Sequence, residues 1–338
     1  MNALELPLSS RANSRSVQLR RVLLVVNPGS RAGRRALAPV TRALAEAGIA
    51  CDVAETTAPR HATTLVRERL AEQDVDAVLT LGGDGTAMEA MTALASIQDA
   101  PPLGIIAVGT ANVLARSLGI PLSPVAAIAA LADAEAVDID LGCIQGGPAF
   151  AIGLGIGLDA TMIGGASAAM KRRVGFLAYA WSAMLAGLRL ERFHAVITVD
   201  GVRHEVETSS VLVANFGKVL GDMLCFGEDI GHQDGLLDVC IYSPRSVTDA
   251  ARMFGKMLFG GVGADRCVRI IRGTSVQVET YPPRPMQADG ELLGLTPVDV
   301  TVEPSAVRVL VPRSARTRWR FRRPVAGATS HQLQGSST

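Results

Sequence analysis

The stretch that most constrains this chain is Leu79-Thr80-Leu81-Gly82-Gly83-Asp84-Gly85-Thr86-Ala87-Met88-Glu89. A short apolar strand, Asp76 to Leu81, runs into three glycines around one aspartate, and a helix-compatible segment starts at Thr86. Gly83 and Gly85 are free to take positive φ and let a ligand approach the backbone closely. Thr86 reads as an N-cap, with Glu89 three residues on as in a capping box. The result is a row of free backbone N–H groups at a helix N-terminus, where a phosphate binds readily. This is not the Walker A loop, because no Lys-Ser or Lys-Thr follows the glycines. A tight strand-to-helix turn without a ligand is the plainer alternative.

Composition narrows the classes. The 338 residues are enough for two domains of ordinary size. Aromatics are only 4% of a chain that is 48% hydrophobic, so the core must be mostly Ala, Val, Leu and Ile. A net charge of +1 does not point to nucleic acid. The five cysteines (Cys51, Cys143, Cys225, Cys240 and Cys267) show no C-x-x-C spacing, so neither a zinc site nor a disulfide framework is expected. That usage fits a reducing, cytoplasmic compartment. The histidines form no i,i+4 pair, which argues against a transition-metal site. Residues 1–20 are polar and read as a disordered tail with no secretory signal. The apolar run Phe176–Leu188 is shorter than the ~20 residues of a membrane span, so it reads as a buried or interfacial helix.

From Arg21 the chain alternates strand and helix. Strands are predicted at Val22–Val26, Ile49–Ala54, Asp76–Leu81 and Leu103–Val108. This order implies a parallel sheet with right-handed crossovers. The loop Asn27–Gly33, Thr56-Thr57, the glycine turn and the Gly109-Thr110-Ala111-Asn112 loop then converge on one carboxyl edge, where such sheets bind ligands. After about Val137 the segments become strand-like and Gly-separated. Strands are predicted at Val137–Leu141, Ala149–Gly153, Ala195–Asp200, Glu205–Ala214, Leu237–Tyr242, Arg266–Arg272, Ser275–Thr280, Val298–Val302 and Val307–Val311. Asp200-Gly201 signals a hairpin. Helices are predicted at about Ala166–Leu190 and Val247–Phe259. The fold class is therefore α/β: a parallel-sheet nucleotide-binding domain (21–136), then a mostly antiparallel β-sandwich domain (137–312) whose last strand could pack on the first. Residues 313–338 read as a tail, basic and then disordered.

Five motifs stand in a fixed order: Asn27-Pro28-x-Ser30; Gly82-Gly83-Asp84-Gly85-Thr86 with Glu89; Gly109-Thr110-Ala111-Asn112; Asp234-Gly235-Leu236-Leu237-Asp238-Val239; and Asp289-Gly290-Glu291. Their order resembles the diacylglycerol kinase catalytic-domain family, which includes bacterial lipid kinases and the sphingosine and ceramide kinases. The resemblance covers about residues 21–312 and does not specify one lipid. It implies ATP-dependent phosphorylation of a lipid hydroxyl, with Mg2+, in a cleft between the two domains. Carried over by position, it assigns ATP contacts to Asn27, Pro28, Gly29, Ser30, Arg31, Thr56, Gly83, Asp84, Gly85, Thr86, Ala87, Met88, Glu89 and Thr110. Arg31, Arg34 and Arg35 add positive charge, or simply form a solvated helix start. Phosphoryl transfer needs a held triphosphate and a base for the acceptor hydroxyl. The resemblance puts the base at Asp289-Gly290-Glu291. On a strand these two acids would share one face. Glu291 is favoured, with Asp289 turned toward nucleotide-bound magnesium or the hydroxyl, and Asp84 is the rival. It also implies a structural magnesium on Asp234 with the carbonyls of Gly231 and Leu236. The alternative there is a β-turn with Asp234 bonding its own backbone.

Two departures bear on the lipid. Val113 follows Asn112 where many members have Asp-Phe, and Leu220-Gly221-Asp222 stands where the family has a glycine pair. Gly153-Leu154-Gly155-Ile156-Gly157 resembles a dinucleotide fingerprint but lacks its strand–turn–helix context. An NAD kinase and a non-catalytic nucleotide- or lipid-binding regulator are the competing readings. A lipid substrate also implies peripheral contact with the inner face of a membrane. Lys171-Arg172-Arg173, Phe176–Trp181 and the basic tail are the candidates for it. Oligomeric state is not readable from the sequence.

Overall fold

The computed structural model describes residues 15–29, 31–131, 133–157 and 191–316. Ser30, the helix expected at Ala166–Leu190, the membrane candidates within it and the tail beyond Arg316 lie outside the described residues. In chain order the first elements are β1 (Arg15–Ser16), β2 (Arg21–Val26), α1 (Arg31–Glu46), β3 (Ala50–Glu55), α2 (His61–Glu72), β4 (Ala77–Gly82), α3 (Asp84–Ala95), β5 (Leu103–Ala107), α4 (Val113–Ser117) and α5 (Pro124–Leu131). β2 and β4 lie at the centre of a parallel array ordered β3-β2-β4-β5. Helices α1 and α5 pack together, as do α2 and α3. Val22–Val26 and Ala77–Leu81 are therefore buried, which is why they read as continuous apolar runs rather than alternating ones.

The second half holds β6 (Ala134–Ile144), β7 (Ala149–Phe150), β8 (Gly153–Gly157), β9 (Phe193–Val199), β10 (Val202–Thr208), β11 (Ser210–Ala214), β12 (Lys218–Val219), β13 (Leu224–Cys225) and β14 (Leu237–Tyr242). Then come α6 (Val247–Phe259), a 3-10 turn (Val262–Ala264), β15 (Val268–Gly273), β16 (Ser275–Tyr281), β17 (Pro285–Ala288), β18 (Glu291–Leu295), β19 (Val298–Pro312) and α7 (Arg313–Arg316). An antiparallel sheet runs β15-β14-β11-β8-β17-β18. It faces a second layer, β10-β9-β16-β19, across a core that includes Phe150, Leu154, Ile156, Phe193 and Ile197. The expected α/β half followed by antiparallel sheet is what the chain forms.

β19 joins the two halves. Its first residues pair with β16, its length pairs with β6, and Val309 pairs in parallel with Leu103 of β5. One sheet of eleven described strands therefore runs through the molecule. The sequence shows two strands here, Val298–Val302 and Val307–Val311. They are one strand with a register shift between Glu303 and Val307, where Ser305 takes φ +51°.

Other expectations need correction. Residues 1–20 are not all tail: Arg15-Ser16 pair with Ala136 and Glu135, and Val17 and Leu19, two apart on extended chain, pack on the core. Glu205–Ala214 is two strands in different sheets, because Thr208 turns its hydroxyl to the carbonyls of Ser210 and Tyr242 and the chain changes layer at Ser209. Ala149–Gly153 likewise breaks into β7 and β8. The glycine string Gly153–Gly157 is buried strand β8. The tail does not begin at Arg313. α7 continues the fold through Ala315, which is 4% exposed. Asp200-Gly201 does form the expected hairpin, at φ +48° and +81°.

Gly142 of β6 pairs with Phe150 of β7, and the Phe150 ring lies over it where a Cβ would stand. Gly142→Val should therefore overpack this site and cost about 1–3 kcal/mol. The check is urea unfolding in a double-mutant cycle with Phe150→Ala, in which most of the Gly142→Val penalty should vanish.

Candidate active site

The parallel strands end abreast, so their loops meet by backbone hydrogen bonds. The Asn27 amide donates to the Leu81 carbonyl at 3.1 Å, Thr56 to Val26 at 2.8 Å, and Val108 to Gly82 at 2.8 Å. The glycine turn and the Gly109 loop then touch backbone to backbone. A Cβ on Gly109 would stand 2.6 Å from Gly83 Cα and 2.8 Å from Asn112 Oδ1, so only glycine fits. Asn112 clasps its own loop: Oδ1 accepts from the Gly109 amide at 2.8 Å and Nδ2 donates to the Gly109 carbonyl at 3.0 Å.

The details around the turn differ from the sequence expectation. Gly83 is the N-cap of α3 at φ −94°, and Asp84 opens the helix. The glycines thus supply clearance rather than left-handed backbone. Thr86 is not the cap, and the capping box does not form. Thr86 is buried inside the first turn, with Oγ1 3.4 Å from Asn27 Nδ2. Asn27 Oδ1 accepts from the Gly29 amide at 3.0 Å and shapes its own loop. Ala87 is 1% exposed in the core, and Met88 is half-buried and packs against the same core. Thr110 is exposed on the rim. Nearby, a solvent-open cleft of about 580 Å³ is walled by Ala32, Arg35, Val108, Gly109 and Asn112.

The acids of the motifs hold backbone. Asp84 Oδ2 accepts from the Val113 amide at 3.1 Å and Oδ1 from Leu114 at 3.0 Å. α4 has no cap of its own, so Asp84 of another helix caps it. Glu89 does the same for α2, which also lacks a side-chain cap: Oε1 and Oε2 accept from the Arg60 and Ala62 amides at 2.9 Å each. Both contacts place negative charge at a helix N-terminus.

Asp289 and Gly290 form the β17–β18 turn at φ +47° and +93°. They are not on a strand, so the rule that residues two apart share a face does not apply to Asp289 and Glu291. Asp289 instead reaches the crossing between β7 and β8. Oδ2 accepts from the Ala151 amide at 2.7 Å, and Oδ1 from Ile152 at 2.9 Å and Gly153 at 3.0 Å. Burial outweighs these donors and pushes its carboxyl up to about 6, with the nearby Asp84 charge adding to the rise. Glu291 follows the turn and is exposed. Its Oε1 lies 3.6 Å from where a Gly85 Cβ would be. Two motifs some two hundred residues apart in sequence therefore face each other.

Two carboxyls stand at the Gly231–Leu236 loop: Asp234, exposed within it, and Asp140, buried beside it. Asp234 Oδ1 accepts from Leu236 at 3.1 Å, as an Asx turn does, and Oδ2 lies 3.0 Å from a Cβ position on Gly231. Asp140 of β6 accepts from the Gly235 and Ser305 amides at 2.8 and 2.7 Å. Burial raises both groups; the charge of Asp138 adds to the rise of Asp140, and that of Asp140 to the rise of Asp234. Among the described residues no three His, Cys, Asp or Glu gather around one point. One carboxylate with loop carbonyls and a second acid close by is still a donor set that suits a hard cation. Asp140 escaped the sequence reading. Its signal is an acid inside the apolar run Val137-Asp138-Ile139-Asp140-Leu141.

The diacylglycerol kinase catalytic domain matches residues 21–144. The YegS C-terminal NAD kinase beta sandwich-like domain matches residues 153–311. A probable lipid kinase YegS-like of Pseudomonas aeruginosa is 32% identical over 296 residues, 86% of this chain and 94% of the relative. A diacylglycerol kinase of Bacillus subtilis is 27% identical, over 87% of this chain and 97% of its own length. Of a longer Synechocystis protein, 28% identical, the chain spans 54%. The crystal structure of a diacylglycerol kinase from Bacillus anthracis has the same fold, with TM-score 0.70 at 24% identity over 89% of this chain and all of that one.

Two measurements test the roles of these acids. Glu89→Ala leaves two amides of α2 without their acceptor and should cost about 1–2 kcal/mol in urea unfolding. Between about pH 4 and 6 the folded chain keeps a proton on Asp289 that the unfolded chain, titrating at the ordinary 3.8, has released. The stability this group contributes is thus full below pH 4 and is lost as pH rises through about 6. Asp289→Asn cannot ionise, so it should lose less stability than the wild type between these limits, by up to ~3 kcal/mol. Unfolding free energies of both proteins at each end of that window measure it.

Proposed function

The chain belongs to the diacylglycerol kinase catalytic-domain family, and we propose that it transfers the γ-phosphoryl group of ATP to the hydroxyl of a lipid alcohol such as diacylglycerol, ceramide or a sphingoid base. The observation that carries this reading is Glu291 standing against Gly85, beside two glycine loops in backbone contact. The loops offer amides to a triphosphate without side chains in the way. Glu291 is an exposed carboxylate at the point where an acceptor hydroxyl must sit to meet that phosphate.

In the proposed reaction Glu291 takes the proton of the lipid hydroxyl. The hydroxyl oxygen forms a bond to the γ-phosphorus, the bond from that phosphorus to the β–γ bridging oxygen breaks, and ADP leaves with the electron pair. Each oxygen of Asp84 and Asp289 already accepts a backbone amide, so these two are positioning residues in this reading. Asp84 sets the Gly109 loop against the glycine turn, and Asp289 sets Glu291. Asn27, Pro28, Gly29, Thr56, Thr110 and Arg35 line the approach to the phosphates. Asp234, with the carbonyls of Gly231 and Leu236, would hold Mg2+, which supplies charge neutralisation and loop order when bound. Among the described residues no helix is long and apolar enough to cross a membrane.

The test is ATP-dependent phosphate transfer to diacylglycerol, ceramide, sphingosine, monoacylglycerol and NAD, with Glu291→Ala beside the wild type. One lipid should be phosphorylated, and the variant should lose about 10²–10⁴ in kcat with ATP still bound. Transfer to NAD alone, or ATP binding without any transfer, would overturn the reading.

A further inference from the structure

Ala151 and Ile152 lie between β7 and β8 and belong to neither strand. β8 pairs with β11 as far as Gly153 and Ala214, and with β17 as far as Leu154 and Ala288. Past those pairs one residue on each side takes over, Asn215 after β11 and Asp289 after β17. Asp289 accepts the amides of Ala151, Ile152 and Gly153. Asn215 takes the carbonyls. Its Nδ2 donates to the Ala151 carbonyl at 2.7 Å and to the Asp140 carbonyl at 2.8 Å, and its backbone amide donates to the Ile152 carbonyl at 2.9 Å. In a trans peptide the carbonyl and the N–H point opposite ways. The Ala151 carbonyl and the Ile152 N–H belong to one peptide, the Ile152 carbonyl and the Gly153 N–H to the next. Each of these two peptides is therefore held by Asn215 at one end and by Asp289 at the other. A donor on the carbonyl also polarises the peptide and strengthens the bond that its N–H makes. Asn215 thus aims the two amides that Asp289 Oδ1 accepts.

Packing alone does not call for an asparagine here. The residue is 0% exposed, and among the described residues nothing donates to its Oδ1. Leucine has nearly the same shape and would bury no orphan oxygen. What only the amide supplies is a pair of protons placed on two carbonyls of different segments. Both partners of Nδ2 are carbonyl oxygens, which fixes the way the amide is turned. The next residue is pinned as well. The Phe216 amide donates to the same Ile152 carbonyl at 3.2 Å, and its ring stacks on His232 with centroids 4.2 Å apart.

We propose that Asn215 is a positioning residue for Glu291, acting through these two peptides and Asp289. The Asp289 amide returns to the Gly153 carbonyl at 3.1 Å, so the β17–β18 turn rests on the same short segment that Asn215 holds. Glu291 follows that turn directly. Without the Asn215 amide the two peptides are free to rotate, and the turn that carries Glu291 moves with them. The effect on turnover rests on the phosphoryl-transfer reading, whereas the effect on the peptides does not.

The experiment makes two measurements on the full chain, with the wild type beside Asn215→Leu, which keeps the shape and donates nothing from its side chain, and Asn215→Ala. The first is amide hydrogen exchange. Residues 151–153 and 289–290 should exchange at least ~10-fold faster in both variants, while α3 keeps its wild-type rates. The second is ATP-dependent transfer to the lipid that the wild type phosphorylates. Here kcat should fall about 10–10²-fold, the cost of a misplaced group, with the KM for ATP within ~2-fold of wild type. In a double-mutant cycle with Asp289→Ala, the double variant should lose little more than Asp289→Ala alone. Unchanged exchange at 151–153, an unchanged kcat or additive losses in the cycle would overturn the proposal. So would variants that do not fold, or that lose ATP binding together with kcat, because Asn215 would then be a residue of the fold alone. No transfer by the wild type overturns the phosphoryl-transfer reading instead, and the exchange rates alone then decide whether Asn215 sets the turn.

Discussion

A carboxylate accepting backbone amides from a distant element is the interaction on which this structure turns. Asp84 caps α4, Glu89 caps α2, and Asp289 gathers three amides where the chain crosses between sheets. Asp84 and Glu89 join segments that no secondary-structure ladder joins, and Asp289 fastens the end of the β17–β8 ladder to the strand crossing. Helix N-termini and strand crossings leave donors unsatisfied, and an ionised acceptor in a half-buried place satisfies them strongly. α3 carries two of these acids, so one helix fixes the helices on both sides of the glycine turn. The turn is therefore held from behind.

The same logic links the two halves of the chain. β19 supplies the continuous backbone connection from the antiparallel layer to β5. Asp140, beside it on β6, ties the Gly235 turn to the Ser305 irregularity of β19. Asp289 then places the β17–β18 turn so that Glu291 reaches the glycine turn of the first half. A site made from two halves needs both of them fixed in relative position, and here that is done by one long strand and a few buried carboxyls.

Much of the fold was legible in the sequence. Val22–Val26 and Asp76–Leu81 showed as buried parallel strands because both their faces are apolar. Asp200-Gly201 showed as a hairpin because that pair tolerates left-handed backbone. The strand breaks were not legible. Glu205–Ala214 is apolar enough to read as one strand, and only the layer change at Ser209 divides it. β17 and β18 escaped because Leu292 and Leu295 face solvent at a sheet edge and give no alternation. In the site, the glycine loops and the five motifs were visible as spacings. The capping partners of Asp84, Glu89 and Asp289 were not, since each lies between 27 and 138 residues away.

The sequence by itself determined the parallel α/β half, the loops that converge on its carboxyl edge and the acids available to them. These follow from local periodicity and turn chemistry, which neighbouring residues set. Only the tertiary structure decided what each acid does. A carboxylate becomes a cap, a latch or a free group according to which amides the fold leaves without partners nearby. By that measure Glu291 remains exposed beside Gly85, while Asp84, Glu89 and Asp289 are taken up in holding the cleft together.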